Sequence, residues 1–277
     1  MKKIIVLIYV VAAVLALSSC RRTLDVVAEY DVNSNKDKAF LKVIHASPNF
    51  RKVWNTRDSF NILVNGTKIN SSIITYNSLF PFSVNSTTNS IIATYASVPA
   101  GAASIKLTNP GATSVDSFGI VTLDKVLAAG SYYTLLITDS LKNGRDSSKI
   151  FINDRTPIPA LSGNYNLRFI YAAANATDTI DVFSFARNAN IFAGVRSGMI
   201  TDFAAFGYNI AVPDSLFIRK RVGTGAVPGP ILAKLPLNGA NTGTSSLDGR
   251  TLTVYYKGDV SVATGTKAPS ASVYLNF

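Results

Sequence analysis

From residue 39 onward the chain alternates apolar and polar positions in short runs. "AFLKVIHA" (39–46) places Leu41, Val43 and His45 on one face by a period of two. "SFNILVNGTKI" (59–69) gathers Phe60, Ile62 and Val64, then turns at Asn65-Gly66, a strong hairpin signal. "IIATYASVPAG" (91–101), "ASIKLTNPG" (103–111), "DSFGIVTL" (116–123) and "SYYTLLITD" (131–139) follow, each closed by Pro, Gly, Asn or Asp. No stretch repeats apolar residues at 3.6. Short strands at regular spacing predict an all-β fold of antiparallel, immunoglobulin-like β-sandwich type.

The second half repeats the first. "LKVIHASPN" (41–49) matches "LRFIYAAAN" (167–175), and "LAAGSYYTLLITD" (127–139) matches "LDGRTLTVYYKGD" (247–259). "SVPAGAASIKL" (97–107) has a weaker partner in "AVPDSLFIRKR" (211–221). The expected organisation is two tandem sandwiches at 39–152 and 165–277. They are joined by a proline-containing linker at 153–164 that restrains them.

The N-terminal residues differ in kind. Lys2 and Lys3 precede an apolar run from Ile4 to Leu17, too short for the roughly 20 residues of a spanning helix. The run ends in Leu17-Ser18-Ser19-Cys20, which resembles the bacterial lipoprotein signal. Cys20 is the only cysteine, so a disulfide within the chain is excluded and the thiol is read as the lipid attachment site. Residues 1–19 are then a signal peptide and 20–38 a polar tether. The expected location is the cell envelope, anchored by lipid in the outer membrane on the periplasmic or surface side. Several acyl chains make such an anchor stable.

Composition narrows the function. Fifteen Phe and 12 Tyr favour strands, and 16% charged residues leave ample material for a core. The net charge is +11, of which Lys2 and Lys3 carry two. In a secreted protein such charge suits anionic headgroups or polysaccharide rather than nucleic acid, and equally serves simple solubility.

Three short motifs in order carry a resemblance. They are His45-Ala46-Ser47-Pro48, Val98-Pro99-Ala100-Gly101 and Ala129-Gly130-Ser131-Tyr132-Tyr133-Thr134. The chain resembles domain-of-unknown-function family 4397 of bacterial extracellular proteins, and its leader that of Bacteroidota lipoproteins. The resemblance implies tandem sandwiches, secreted or lipid-anchored, with no established activity and no site residues to carry over. The second repeat has Tyr171-Ala172-Ala173-Ala174 in place of the first motif.

No residue is assigned to catalysis, a cofactor or a metal. His45 is the only histidine, and Tyr at the matching position argues for a core-edge role rather than a general base. Asp139 and Asp259 end matching strands and read as turn residues. No spacing singles out a glycosidase carboxylate pair. Asp139-Ser140-Leu141, Asp178-Thr179-Ile180 and Asp214-Ser215-Leu216 resemble O-glycosylation acceptors of Bacteroidota. Arg219-Lys220-Arg221 reads as charge protecting an edge strand, with acidic-glycan binding as the alternative. Trp54, in an expected loop, either stacks on a ligand or covers the sandwich end. The expected function is a non-enzymatic binding or adhesion module whose partner is a glycan or envelope protein. A pilin-like subunit and an envelope-polymer hydrolase are the alternatives.

Overall fold

The computed structural model describes residues 36–276 except 83, 86–89, 92–94, 111–118, 140–148, 155–162, 210, 212, 226, 239–241 and 243–245. The described residues are nearly all β, and eight of the strands recur in the same order in the two halves.

In the first half β1 (Lys38–His45) leads into a short helix, α1 (Phe50–Trp54). Next come β2 (Ser59–Val64), β3 (Thr67–Lys68), β4 (Ile74–Thr75), β5 (Leu79–Phe80), β6 (Val84–Asn85) and β7 (Ser90–Ile91). The half is completed by β8 (Ala96–Pro99), β9 (Gly101–Thr108), β10 (Gly119–Leu127), β11 (Tyr132–Ile137) and β12 (Lys149–Asn153). The second half begins with β13 (Asn164–Tyr171), β14 (Ile180–Ser184), β15 (Ala189–Val195) and β16 (Ala204–Gly207). It closes with β17 (Ser215–Lys220), β18 (Ile231–Pro236), β19 (Thr251–Lys257) and β20 (Ser270–Leu275).

Each half pairs two sheets. β12-β11-β1-β5, with β8 also on β1, faces β10-β9-β2-β3 across Leu41, Val43, Phe60, Ile62, Ile105 and Leu135. β16-β13-β19-β20 faces β15-β14-β17-β18 across Leu167, Phe169, Val182, Ile218, Leu252 and Val254. The β2–β3 hairpin turns where expected, with Asn65 and Gly66 at φ 50° and 80°. Two consecutive positive φ values suit a type I′ turn.

The fold differs from a purely antiparallel sandwich at one pair per repeat. β1 runs parallel to β11, and β13 parallel to β19. Parallel partners need a long crossover, and here nearly the whole repeat supplies it. The parallel partner in each repeat, β11 or β19, follows a glycine in the left-handed region, Gly130 at φ 70° and Gly249 at φ 67°. Leu41 pairs with Tyr133 while Leu167 pairs with Leu252, so Tyr133 corresponds to Leu252. The matched aspartates at 139 and 259 are thus out of step by one, and the extra residue is Gly258, at φ 101°.

The two halves belong to one compact unit, Asp37–Phe277. The second faces of the two parallel-pair sheets pack on each other through Ile44, Ala46, Leu136 and Ile152 against Ile170, Ala172, Tyr255 and Tyr274. The result is a stack of four sheets. β13 and β19 are therefore buried along nearly their whole length. Of the expected linker, Asn153 closes β12 and Asp154 is buried, while 155–162 lie outside the described residues.

Candidate functional site

His45 ends β1 with its ring sealed among Phe50 (4.8 Å), Phe60 (5.0 Å) and Tyr76 (5.9 Å). The residue has no exposed surface. Nδ1 accepts a long contact from the Ser47 backbone N–H at 3.4 Å, and Nε2 makes no hydrogen bond. Burial pulls its pKa down to about 3; the Asp58 carboxylate and backbone carbonyl oppose this, and Lys267 adds to it. A ring with no exposed surface does not reach a substrate in this conformation. Tyr171 holds the same register position against Tyr256 that His45 holds against Ile137.

Beyond His45 the ends of the two repeats converge on Asn49. Its backbone N–H donates to Asp139 Oδ2, and its side-chain Nδ2 donates to Asp259 Oδ2 at 2.6 Å. Asn175, the matching residue of the second repeat, donates Nδ2 to both oxygens of Asp259 at 3.1 Å. The backbone N–H and hydroxyl of Ser261 also donate to Asp259. Burial pushes the Asp139 carboxyl up to about 7; the Asn49 N–H opposes this and Asp259 adds to it. Burial also works against charge on Asp259, but the donors from Ser261, Asn49 and Asn175 outweigh it and hold that carboxyl at about 2. Splitting two carboxyl pKa values is what acid–base catalysis requires. Here both groups are turned onto amide donors, and Asp139 has no exposed surface. The arrangement fastens the loops of the two repeats together.

Above this junction lies an open polar cleft of about 760 Å³, lined by Asn49, Arg51, Lys52, Thr56, Asp58 and Lys267. Lys267 bridges to Asp58 across the repeats at 3.4 Å, with both side chains more than 40% exposed. Such an exposed pair contributes little to stability.

The sequence reading missed the most unusual polar groups, which lie between the stacked sheets. Lys42 is buried, its Nζ donating to the Leu275 carbonyl at 3.0 Å and lying 4.2 and 4.6 Å from the Tyr95 and Tyr274 rings. Burial pulls its pKa down to about 7; Asp154 opposes the shift and Arg168 reinforces it. Arg168, at the matching position of β13, pairs with buried Asp154 and donates Nε to Thr253 at 2.8 Å. Thr134 donates to Asp154, and Thr253 donates to Asn276 at 2.7 Å. A usable signal was present: a cation inside an apolar run, in both copies, marks a strand covered on both faces.

Two expectations are corrected. Trp54 ends helix α1 rather than lying in a loop, and at 7% exposure it belongs to the first core. Asn49 accepts from the Lys52 and Val53 N–H groups and Asn55 closes the helix at φ 52°, a single turn too short to show a period. The 219–221 cations are not on an edge strand, because β17 pairs with both β14 and β18. Lys220 pairs with Asp178 and Arg221 with Asp181. The Arg219 guanidinium lies 4.0 Å over the Phe183 ring.

Of the glycosylation-like triplets, Ser140 lies outside the described residues, Thr179 immediately precedes β14 and Ser215 opens β17. Cys20 lies outside the described residues. Among those residues no helix is long and apolar enough to cross a membrane, and no three His, Cys, Asp or Glu side chains converge as metal ligands. The fold defines the chain as an all-β sandwich protein of immunoglobulin-like type. No protein-family model and no curated protein matches it.

Proposed function

We propose that this chain is a lipid-anchored protein of the bacterial cell envelope whose folded part is a non-enzymatic binding module. Its leader ends in Cys20, and its three ordered motifs resemble domain-of-unknown-function family 4397. The observation that carries the reading is the stacking of the two repeats. One face of each inner sheet is spent on the other repeat, with Arg168, Asp154 and Lys42 locked between them. Both outer sheets are left on the outside of one compact body. A rigid body that presents fixed sheet faces and loop ends suits recognition of a glycan or envelope protein.

The test is recovery of partners with the acylated full chain from its own envelope, with labelled palmitate to follow the anchor. Specific capture, together with palmitate on the wild type but not on a Cys20→Ala chain, is the expected result. Recovery no different from an unrelated lipoprotein would overturn it.

The pilin-like alternative draws on β20, which among the described residues pairs on one side only. Against it, the end of β20 receives Lys42 on the Leu275 carbonyl and buries Asn276. A strand so held is costly to donate. Filaments in the wild type would reverse this preference. The hydrolase alternative draws on Asp139 and Asp259; turnover of an envelope polymer that is lost in Asp139→Asn would establish it.

A further inference from the structure

We propose that the solvent face of the β15-β14-β17-β18 sheet binds an acidic polysaccharide through Phe183, Phe217, Arg219 and Lys234. This rests on the binding-module reading and names its ligand class. Phe183, Phe217 and Lys234 stand opposite one another on three adjacent strands. At the usual strand spacing the row spans about 10 Å, the reach of a short run of sugar rings. The next row places Arg219 on the same face. Its guanidinium carbon sits 4.0 Å from the Phe183 ring and 5.6 Å from that of Phe217, and Lys234 Nζ sits 5.4 Å from the latter. Phe185, 66% exposed, extends the aromatic surface at one end.

The charge on this face is uncompensated. Asp181 stands opposite Arg219 but is taken by Arg221 Nη1 at 2.8 Å and the Gly194 N–H at 2.7 Å. Asp178 is taken by Lys220 at 2.9 Å. Among the described residues no carboxylate pairs with Arg219 or Lys234. A guanidinium held against two rings is already partly ordered, so it can meet a carboxylate in bidentate fashion with little further ordering. The rings offer a surface for the C–H face of a pyranose through dispersion. An acidic sugar presents both features in one residue, and a polymer repeats them.

The fold does not demand these residues. The strand registers put Leu63, Lys106, Thr108 and Thr122 of the first repeat at the positions of Phe183, Phe217, Arg219 and Lys234. The same scaffold therefore stands without the two rings and without cations at the Arg219 and Lys234 positions.

The test uses the full acylated chain in nonionic detergent, run in native gels containing polygalacturonate or dextran. Retardation by polygalacturonate alone is expected, weakened about tenfold or more in Arg219→Thr/Lys234→Thr, which takes threonines that the first repeat tolerates at these positions. Thr122→Lys, on the other outer sheet, is expected to change nothing. Circular dichroism and thermal melting verify that the variants fold. Equal retardation by dextran, or undiminished binding by the double variant, would overturn the proposal. So would displacement by glycerol phosphate as effective as by oligogalacturonate, which would assign the face to phosphate or lipid headgroups. If polygalacturonate fails to bind while envelope recovery still returns a partner, only the ligand class is wrong; if both fail, the binding-module reading falls as well.

Discussion

The two repeats share a fold and differ most where a side chain meets something outside its own core. Most inward residues stay apolar in both, such as Leu41, Val43 and Leu135 in the first and Leu167, Phe169 and Val254 in the second. Between the stacked sheets the pattern is kept but the chemistry changes. Lys42 matches Arg168, Ile152 matches Tyr274, and Asp154 matches Asn276. One half of the interface is an ion pair; the other is an amine on a carbonyl. On the outer sheets even the polarity pattern parts company. The comparison teaches that duplication preserves what packing requires, and that the two copies differ at the junction and on the surface.

The asymmetry of the junction gives the largest expected effect. Asp154→Ala leaves Arg168 buried without its counter-ion and is expected to destabilise by about 3–5 kcal/mol. Asn276→Ala, its neutral counterpart, is expected to cost about 1 kcal/mol. Chemical denaturation of the two variants side by side measures the gap, and equal losses would show that the ion pair is not special.

The residue the second repeat has in excess comes next. A Cβ on Gly258 would fall on the Ala268 carbonyl oxygen, at φ 101°. Gly258→Ala is expected to cost at least about 1–3 kcal/mol, against about 1 kcal/mol for Gly130→Ala, where nothing lies within 4 Å.

Two pH slopes separate the buried bases. His45 is held neutral down to about 3, whereas the unfolded chain binds that proton near 6.5. Its contribution is therefore complete above pH 6.5 and lost progressively as pH falls toward 3. His45→Phe is expected to flatten this limb, while Tyr171→Phe leaves it in place. Asp139 opposes the trend: with its folded pKa raised to about 7, ionisation reduces stability as pH climbs from about 4 to 7. Asp139→Asn should therefore steepen the net rise that His45 produces. Lys42, lowered to about 7, costs stability that is recovered as pH rises from 7 toward 10.5. Melting temperatures of wild type and Lys42→Met across that interval follow this recovery directly; parallel curves would count against it.

The smallest expected effect is on the first outer sheet. Thr122→Lys, at an exposed position, is expected to shift stability by less than about 0.5 kcal/mol.

Much of this was legible in the sequence. Alternation placed Leu41, Val43 and His45 on the core face, and Asn65-Gly66 marked its hairpin, because these follow from local geometry. The repeat placed Tyr171 on the register of His45. Other features left no local trace. One helical turn at Phe50–Trp54 has no period to detect. Asn49 joins Asp139 to Asp259 across a long stretch of chain, and neither aspartate differs by spacing from an ordinary turn residue. The pairing of β17 on both sides is fixed by strand order, which alternation does not encode.

By itself the sequence determined the all-β character, the duplication and the face that each strand turns to its own core, because side chains alternate along any strand whatever it pairs with. Only the tertiary structure decided the parallel pairing of the first and next-to-last strands of each repeat, the burial of Lys42 and Arg168, and the assembly of Phe183, Phe217, Arg219 and Lys234 on one sheet face. These depend on which strands lie side by side and which faces are covered. Contacts between distant parts of the chain settle both, as one repeat closes on the other.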